Sequence, residues 1–356
     1  MNKLKIICSF CHGYTAKKIT EKNKYPALIE IYKKKINCHS YVFLRNYKDF
    51  QIHKNKILGD IPAKRQSNFT KLPRFGFMGL CQNKKNIFAA TWSGVHVIKK
   101  ENFELKHIIS HRLTADLHGI AFYKKKIYSI LTSKDTVVIT RLNGEIEDYF
   151  TITSDLKLVR NKSLLNVDWR FITKQRRGPT GVFHFNFIRV EKNNVFLTSR
   201  NLGSVIKVNL KTLKVELITI GHLKTALIHD GKKYKNHIYF TSVDGKIVKT
   251  NPLEASSKEK LNNEIKKFYN YSSKVFYYQI NKKNLKRIPT WCRGICIISK
   301  NILATTVDGL YGTNYFSIII LDIKKNKKIF EYKFQKNKLI DYKKIKYATG
   351  FDLITY

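Results

Sequence analysis

No stretch of the 356 residues approaches the roughly eighteen consecutive apolar side chains of a membrane-spanning helix, so no membrane span is expected. The basic N-terminus, MNKLKIICSFCHGY, carries the apolar stretch IICSF, cut short by Cys11, His12 and Gly13. That is too short for a secretory leader, and a cytoplasmic location is the expectation. Cysteine is sparse: six stand at 8, 11, 38, 81, 292 and 296. Cys8-Ser9-Phe10-Cys11-His12 spells the pattern of covalent haem attachment. It lies in an apolar stretch that reads as a buried strand, where a free cysteine acts as a small hydrophobe. No second C-x-x-C completes a structural zinc site; Cys292 and Cys296 are spaced C-x-x-x-C. A G-x-S-x-G elbow, a P-loop, an H-E-x-x-H and a dinucleotide fingerprint are all missing, which removes the common hydrolase, nucleotide and zinc-protease classes.

Acidic residues are also scarce. Against 68 Lys and Arg there are 25 Asp and Glu, a net charge of +43. Such a balance suits phosphate neutralisation. The lysines are scattered through nearly every turn, as in YKKK, KNKK and DGKKYKN, not gathered on one face. Lys, Asn, Ile and Tyr are abundant together, as an AT-rich coding sequence produces, and nucleic acid is the disfavoured partner.

What is present is a repeat. Five segments begin at Gly76, Leu117, Phe183, Ile228 and Cys292. Each runs from a special residue through an apolar strand, a Lys/Asn turn, a second strand ending in Ala-Thr or Thr-Ser, an Asp/Asn/Gly turn and a third β-branched strand. The aligned threonines 91, 132, 198, 241 and 305 are separated by 41, 66, 43 and 64 residues. Forty-odd residues is the period of a four-stranded propeller blade. The excess falls in insertions at 154–182 and 252–290; in the second, Ser256-x-x-Glu259 followed by Leu261, Ile265 and Phe268 predicts a short amphipathic helix. After the third strand of the second repeat, Asn143-Gly144 predicts a turn into a fourth strand. The fold class is therefore all-β, a β-propeller of six blades of four antiparallel strands, one domain over 1–356. Five repeats occupy 76–335. Residues 1–75 and 336–356 complete the closing blade and join the ends, since an open sheet edge is a liability.

In such a fold the first strand of each blade lines a central channel. That places His118, His184, His229 and Arg293 around one funnel mouth, with Ser133-Lys134-Asp135, Ser199-Arg200-Asn201, Asp244-Gly245 and Asp308-Gly309 above them. His118, His184 and His229 are candidate ligands of a divalent metal, zinc or iron. His184, His229 and Asp230 are the candidate catalytic residues, with Asp230 or Asp244 as the base of a hydrolytic or lyase reaction. His118, Asn186, Arg200, Asp244 and Arg293 are candidate contacts to a small polar or anionic molecule, because guanidinium forks suit carboxylate and phosphate. Arg293 could instead stack on Trp291, and His222 and His237 read as surface or turn residues. The alternative function is a non-catalytic interaction scaffold with a basic rim.

The pieces CQNKKNIFAATWSGVHVI, HFNFIRVEKNNVFLTSRNLGSVIKV, IHDGKKYKNHIYFTSVDGKIV and WCRGI resemble an uncharacterised bacterial β-propeller family described by its fold alone, over residues 76 to 325. More distantly the chain is similar to six-bladed gluconolactonase-like calcium or zinc hydrolases. That likeness implies a funnel metal held by carboxylates and Asn; here histidines and arginines stand in the comparable places.

Overall fold

The segments between the Lys/Asn turns are rich in β-branched and aromatic residues, and they pair as antiparallel strands. The computed structural model describes residues 4–14, 27–33, 40–46, 56–60, 74–171, 181–218, 228–242, 245–250, 276–279, 290–309, 315–335 and 345–355. Asp244, His222 and the helix expected over 256–268 lie outside the described residues.

The described strands form six sheets. The closing sheet sets Leu4–Tyr14 between Ile345–Thr355 and Ala27–Lys33, with Ser40–Asn46 outermost; Cys8 faces Leu353, so the two ends of the chain meet in one sheet. The second sheet runs outward through Leu80–Gln82, Asn86–Ala90, Val95–Lys99 and Leu105–Ser110. The third runs through Leu117–Tyr123, Lys126–Leu131, Thr136–Arg141 and Ile146–Ile152, and the fourth through Phe185–Glu191, Asn194–Ser199, Ser204–Asn209 and Val215–Ile218. Lys232–Tyr234, His237–Thr241, Lys246–Thr250 and Phe276–Gln279 make the fifth. Thr290–Ser299, Ile302–Gly309, Tyr315–Asp322 and Lys327–Gln335 make the sixth.

Three pieces depart from the expected plan. Ile57–Gly59 does not join the closing sheet but lies parallel to Ile108–Ser110 on the outer edge of the second. Arg74–Gly76 does not open the first repeat; it pairs with Cys11–Gly13 in the closing sheet. Within the insertion 154–182, Leu158–Val159 adds a fifth strand to the third sheet, followed by 3-10 turns at Lys162–Asn166 and Trp169–Phe171.

Stacking of sheets face to face explains the strand sequences. A middle strand packed on both sides reads as a nearly unbroken apolar run, as in Lys126–Leu131, where every residue after Lys126 is buried. The outer strand Lys327–Gln335 is mostly half-buried or exposed and carries the charges. The cores lie between neighbouring sheets. Ile7, Ile354, Phe77 and Leu80 join the closing sheet to the second, and Phe88, Val97, Ile120 and Ile127 join the second to the third. Ile130, Val137, Phe185 and Leu197 join the third to the fourth. Val205, Ile228 and Phe240 continue to the fifth, and Tyr239, Ile295 and Leu303 to the sixth. Phe10, Leu353, Phe316 and Ile318 return from the sixth to the closing sheet. Lysines hold the hairpin tips in left-handed geometry, Lys124 and Lys125 at φ 47° and 63°, which places these charges in solvent.

Candidate functional site

In five of the six sheets the inner strand gains one residue over its neighbour just inside its entrance. Leu117 faces Leu131 and Ile120 faces Ser129; Phe185 faces Ser199 and Phe187 faces Thr198. Cys292 faces Val307 and Ile295 faces Thr305, while Gly350 faces Phe10 and Leu353 faces Cys8. In the fifth sheet Ile228 bridges Ser242 and Lys232 faces Tyr239. A bulge of this kind frees side chains from the ladder and re-aims them. The residue after the outer pair is His118, Asn186, His229, Arg293 and Phe351 in turn, and Met78 stands two residues before Leu80 in the second sheet.

This register corrects the expected equivalence of the histidines. His184 is not the counterpart of His118; Asn186 is. His184 precedes its strand, as Asp116 does in the third sheet, and both sit in left-handed backbone at φ 50°. Arg200 donates its backbone N–H to the His184 carbonyl at 3.2 Å, and Thr132 does the same to Asp116 at 3.3 Å. The backbone at His184 is held by Asp135, whose Oδ2 accepts from Phe183 N at 2.9 Å, and the Gly181 N–H donates to the Ser133 carbonyl. Burial pushes the Asp135 carboxyl up to about 6, against the opposing pull of the backbone N–H groups of Phe183, His184 and Phe185.

The expected residues do gather about one point. The Phe351 ring lies 5.7 Å from the His118 ring and 5.1 Å from the His229 ring, both edge to face, and the Arg293 guanidinium lies over it at 5.4 Å. His184 meets His118 edge-on at 5.3 Å. His118 Nδ1 is 3.0 Å from Asn186 Oδ1, and its Nε2 is 3.4 Å from Asp116 Oδ1. Met78 packs with Phe351 and Cys11. Burial, then the charges of Arg293, His118, Arg200 and His184, hold the His229 imidazole well below its usual range, so it is neutral at neutral pH. The Trp291 side chain lies outside the described residues, and the aromatic partner of Arg293 is Phe351.

A second charged layer follows along the same strands. Lys232 Nζ lies 3.4 Å from Asp352 Oδ1 and 4.8 Å over the Phe187 ring. Burial opposes its charge, but Asp352 and Asp230 outweigh that and raise its affinity for the proton. Asp230, the expected base, is engaged by the backbone. Its Oδ1 accepts from Gly231 N at 2.8 Å and its Oδ2 from Ile295 N at 2.9 Å, so the carboxylate ties the fifth inner strand to the sixth. Burial pushes this carboxyl up to about 7.

The three imidazoles do not fit a metal's ligand set. Both His118 nitrogens face protein acceptors, His229 turns to Phe351, and among the described residues no three His, Cys, Asp or Glu side chains group so as to hold a metal ion. The Cys8 and Cys11 thiols are buried within a strand.

No protein-family model matches the chain, and no curated protein does. Solved structures do. A chain of a nidogen/laminin complex has a TM-score of 0.52 at 11% identity, over 99% of this chain and 98% of that one. The fold is a β-propeller. A streptogramin B lyase structure aligns over 92% of this chain and 87% of that one, with a TM-score of 0.45 and 11% identity. The WD40 β-propeller domain of Doa1 aligns over 73% and 69%, at 0.42 and 8%. At 11% identity the first likeness bears on the fold alone. Among the described residues no helix is long and apolar enough to cross a membrane.

Sequence reasoning missed Phe351, Asp352 and Lys232. A signal was available for the first two: Gly350-Phe351-Asp352 sits in the last strand where other inner strands carry His118-Gly119 or Arg293-Gly294.

Proposed function

We propose that the chain is one six-bladed propeller domain whose funnel binds a small oxyanion, a carboxylate or a phosphate, at His118, Asn186, His229 and Arg293, with His184 and Arg200 above. Six sheets joined by six inter-sheet cores support the blade number. The observation that carries the ligand reading is the convergence of the Arg293 and Arg200 charges on the buried His229, with Arg293 and His229 on the same Phe351 ring. Two guanidinium charges acting on a neutral imidazole make a site that a negative ligand stabilises, and guanidinium forks match oxyanion geometry. With its imidazole neutral, His229 is also the ring member able to take a proton from a bound substrate, the role it would have in a hydrolytic or lyase step.

The test is calorimetric titration of malonate, sulfate and inorganic phosphate into the wild-type chain and Arg293→Gln at low ionic strength. Binding to the wild type that weakens at least tenfold in the variant supports the reading. Absence of binding of all three by the wild type overturns it, and equal binding by the variant moves the site away from the funnel.

A further inference from the structure

Among the described residues of the ring, Asn186 leaves a buried amide nitrogen over. Asn186 is 3% exposed, its Oδ1 lies against His118 Nδ1, and its Nδ2 has no hydrogen-bond partner. Leaving a buried amide donor unmet is costly, and native proteins keep such groups where something else satisfies them. The amide is also oriented. His118 Nε2 faces the Asp116 carboxylate, so it is the ring protonated on both nitrogens that donates from Nδ1 to Oδ1, and in that form the NH2 group must face away from His118. Asn186 sits at the bulge between the Phe185–Ser199 and Phe187–Thr198 pairs, the position that in the next two sheets holds His229 and Arg293.

Resting on the oxyanion reading above, we infer that Asn186 is the specificity-determining donor of the funnel: its Nδ2 takes one oxygen of the anion that Arg293 holds by another. Amide, neutral imidazole and guanidinium then offer donors from three consecutive sheets. Arg293 supplies the charge, and Asn186 supplies direction without charge. The amide cannot be replaced by its isosteric acid, because an Asp carboxylate would present an acceptor to an acceptor. A ligand bearing only ammonium or hydroxyl donors gains nothing from this arrangement.

The experiment titrates malonate, as a carboxylate, and sulfate, as a tetrahedral oxyanion, into wild type, Asn186→Asp and Asn186→Ala, with thermal unfolding of each. Loss of about a hundredfold in affinity in Asn186→Asp and about tenfold in Asn186→Ala, for either anion, is expected. The carboxylate and sulfate arms separate which oxyanion the donor serves. Wild-type affinity in Asn186→Asp overturns the assignment, since the oxygen of the amide would then face the axis, while the Arg293→Gln result leaves the oxyanion reading standing. If Asn186→Asp does not fold, unchanged affinity in Asn186→Ala overturns it equally. No binding by the wild type removes the oxyanion reading and this inference with it.

Discussion

Thr241 donates from Oγ1 to the backbone carbonyl of Arg293 at 2.6 Å, reaching from the second strand of the fifth sheet to the inner strand of the sixth. Thr132 reaches the Phe185 carbonyl at 2.9 Å, and Thr198 reaches that of Asp230 at 3.5 Å. Three of the five threonines that repeat along the sequence thus tie one sheet to the chain that carries the next sheet's ring residue, while Thr91 and Thr305 bond within their own sheets. Thr241→Val keeps the shape and deletes the donor, leaving the Arg293 carbonyl short of a partner. A loss of about 1–2 kcal/mol in denaturant unfolding is expected, with a smaller loss for Thr198→Val because its bond is longer.

Close approach of the inner strands depends on glycines, Gly294 and Gly119 among them. A Cβ at Gly294 would stand 2.6 Å from the Asp352 Cα, and one at Gly119 would stand 3.0 Å from the Asn186 carbonyl oxygen and the Phe187 Cα. Both clashes are with backbone, which cannot swing aside. Gly294→Ala is expected to destabilise by about 2–3 kcal/mol and Gly119→Ala by about 1–2 kcal/mol, as overpacking does. Urea unfolding of the two variants checks the order; equal, negligible effects would mean the strands part freely.

The architecture was legible because its signals are local. Apolar strands, Lys/Asn hairpins and the repeated Thr-Ser each follow from a sheet packed on both faces. The ring was half legible. Aligning on Thr132-Ser133 and Thr198-Ser199 set His118 against His184, whereas the hairpins at Lys124-Lys125 and Lys192-Asn193 fix the pairing and set His118 against Asn186. The two alignments differ by two residues, which keeps the same side of a strand and so hides the slip. Bulges are a property of paired strands and leave little trace in one of them. Phe351 escaped notice because its strand belongs to a sheet assembled from both ends of the chain.

Asp135 links this site to pH. Its folded-state pKa, raised from 3.8 to about 6, means that the fold holds the proton more tightly than the unfolded chain. Its contribution to stability therefore declines as pH rises from about 4 to about 6. Asp135→Asn retains an oxygen to accept from Phe183 N but cannot ionise. Relative to this variant, the wild type is expected to lose about 1–3 kcal/mol across that window. Parallel stability–pH curves for the two proteins would show that the carboxyl is not buried as described.

The His229 imidazole offers a direct reading of the funnel's field. Burial is the larger cause of its lowered pKa and Arg293 the next. Arg293→Gln is expected to move the pKa upward while leaving it below the ordinary histidine range. For a base lowered in the fold, stability is full above the unfolded-state pKa of about 6.5 and falls as the pH drops through the window beneath it. The variant should lose less stability there. Imidazole NMR titration of both proteins measures the shift, and an unmoved resonance would place Arg293 too far from His229 to act on it.

Arg170 is buried completely, and its guanidinium donates four hydrogen bonds to three groups. Asp168 accepts from Nε at 2.8 Å and from Nη2 at 2.5 Å, and Nη1 donates to the Asp60 carbonyl at 2.7 Å and to Ser110 Oγ at 2.9 Å. The arginine thereby pins the insertion after the third sheet to the edge of the second, where Asp60 also receives Arg112. Replacing it by methionine fills similar space but strands the Asp168 carboxylate and takes a donor from the Asp60 carbonyl and the Ser110 hydroxyl. The expected cost is about 3–5 kcal/mol, as for other broken buried pairs. Arg170→Met combined with Asp168→Asn removes one stranded charge and should recover part of that loss. A double variant no more stable than the single one would mean that the hydrogen bonds to Asp60 and Ser110, not the ion pair, hold the insertion in place.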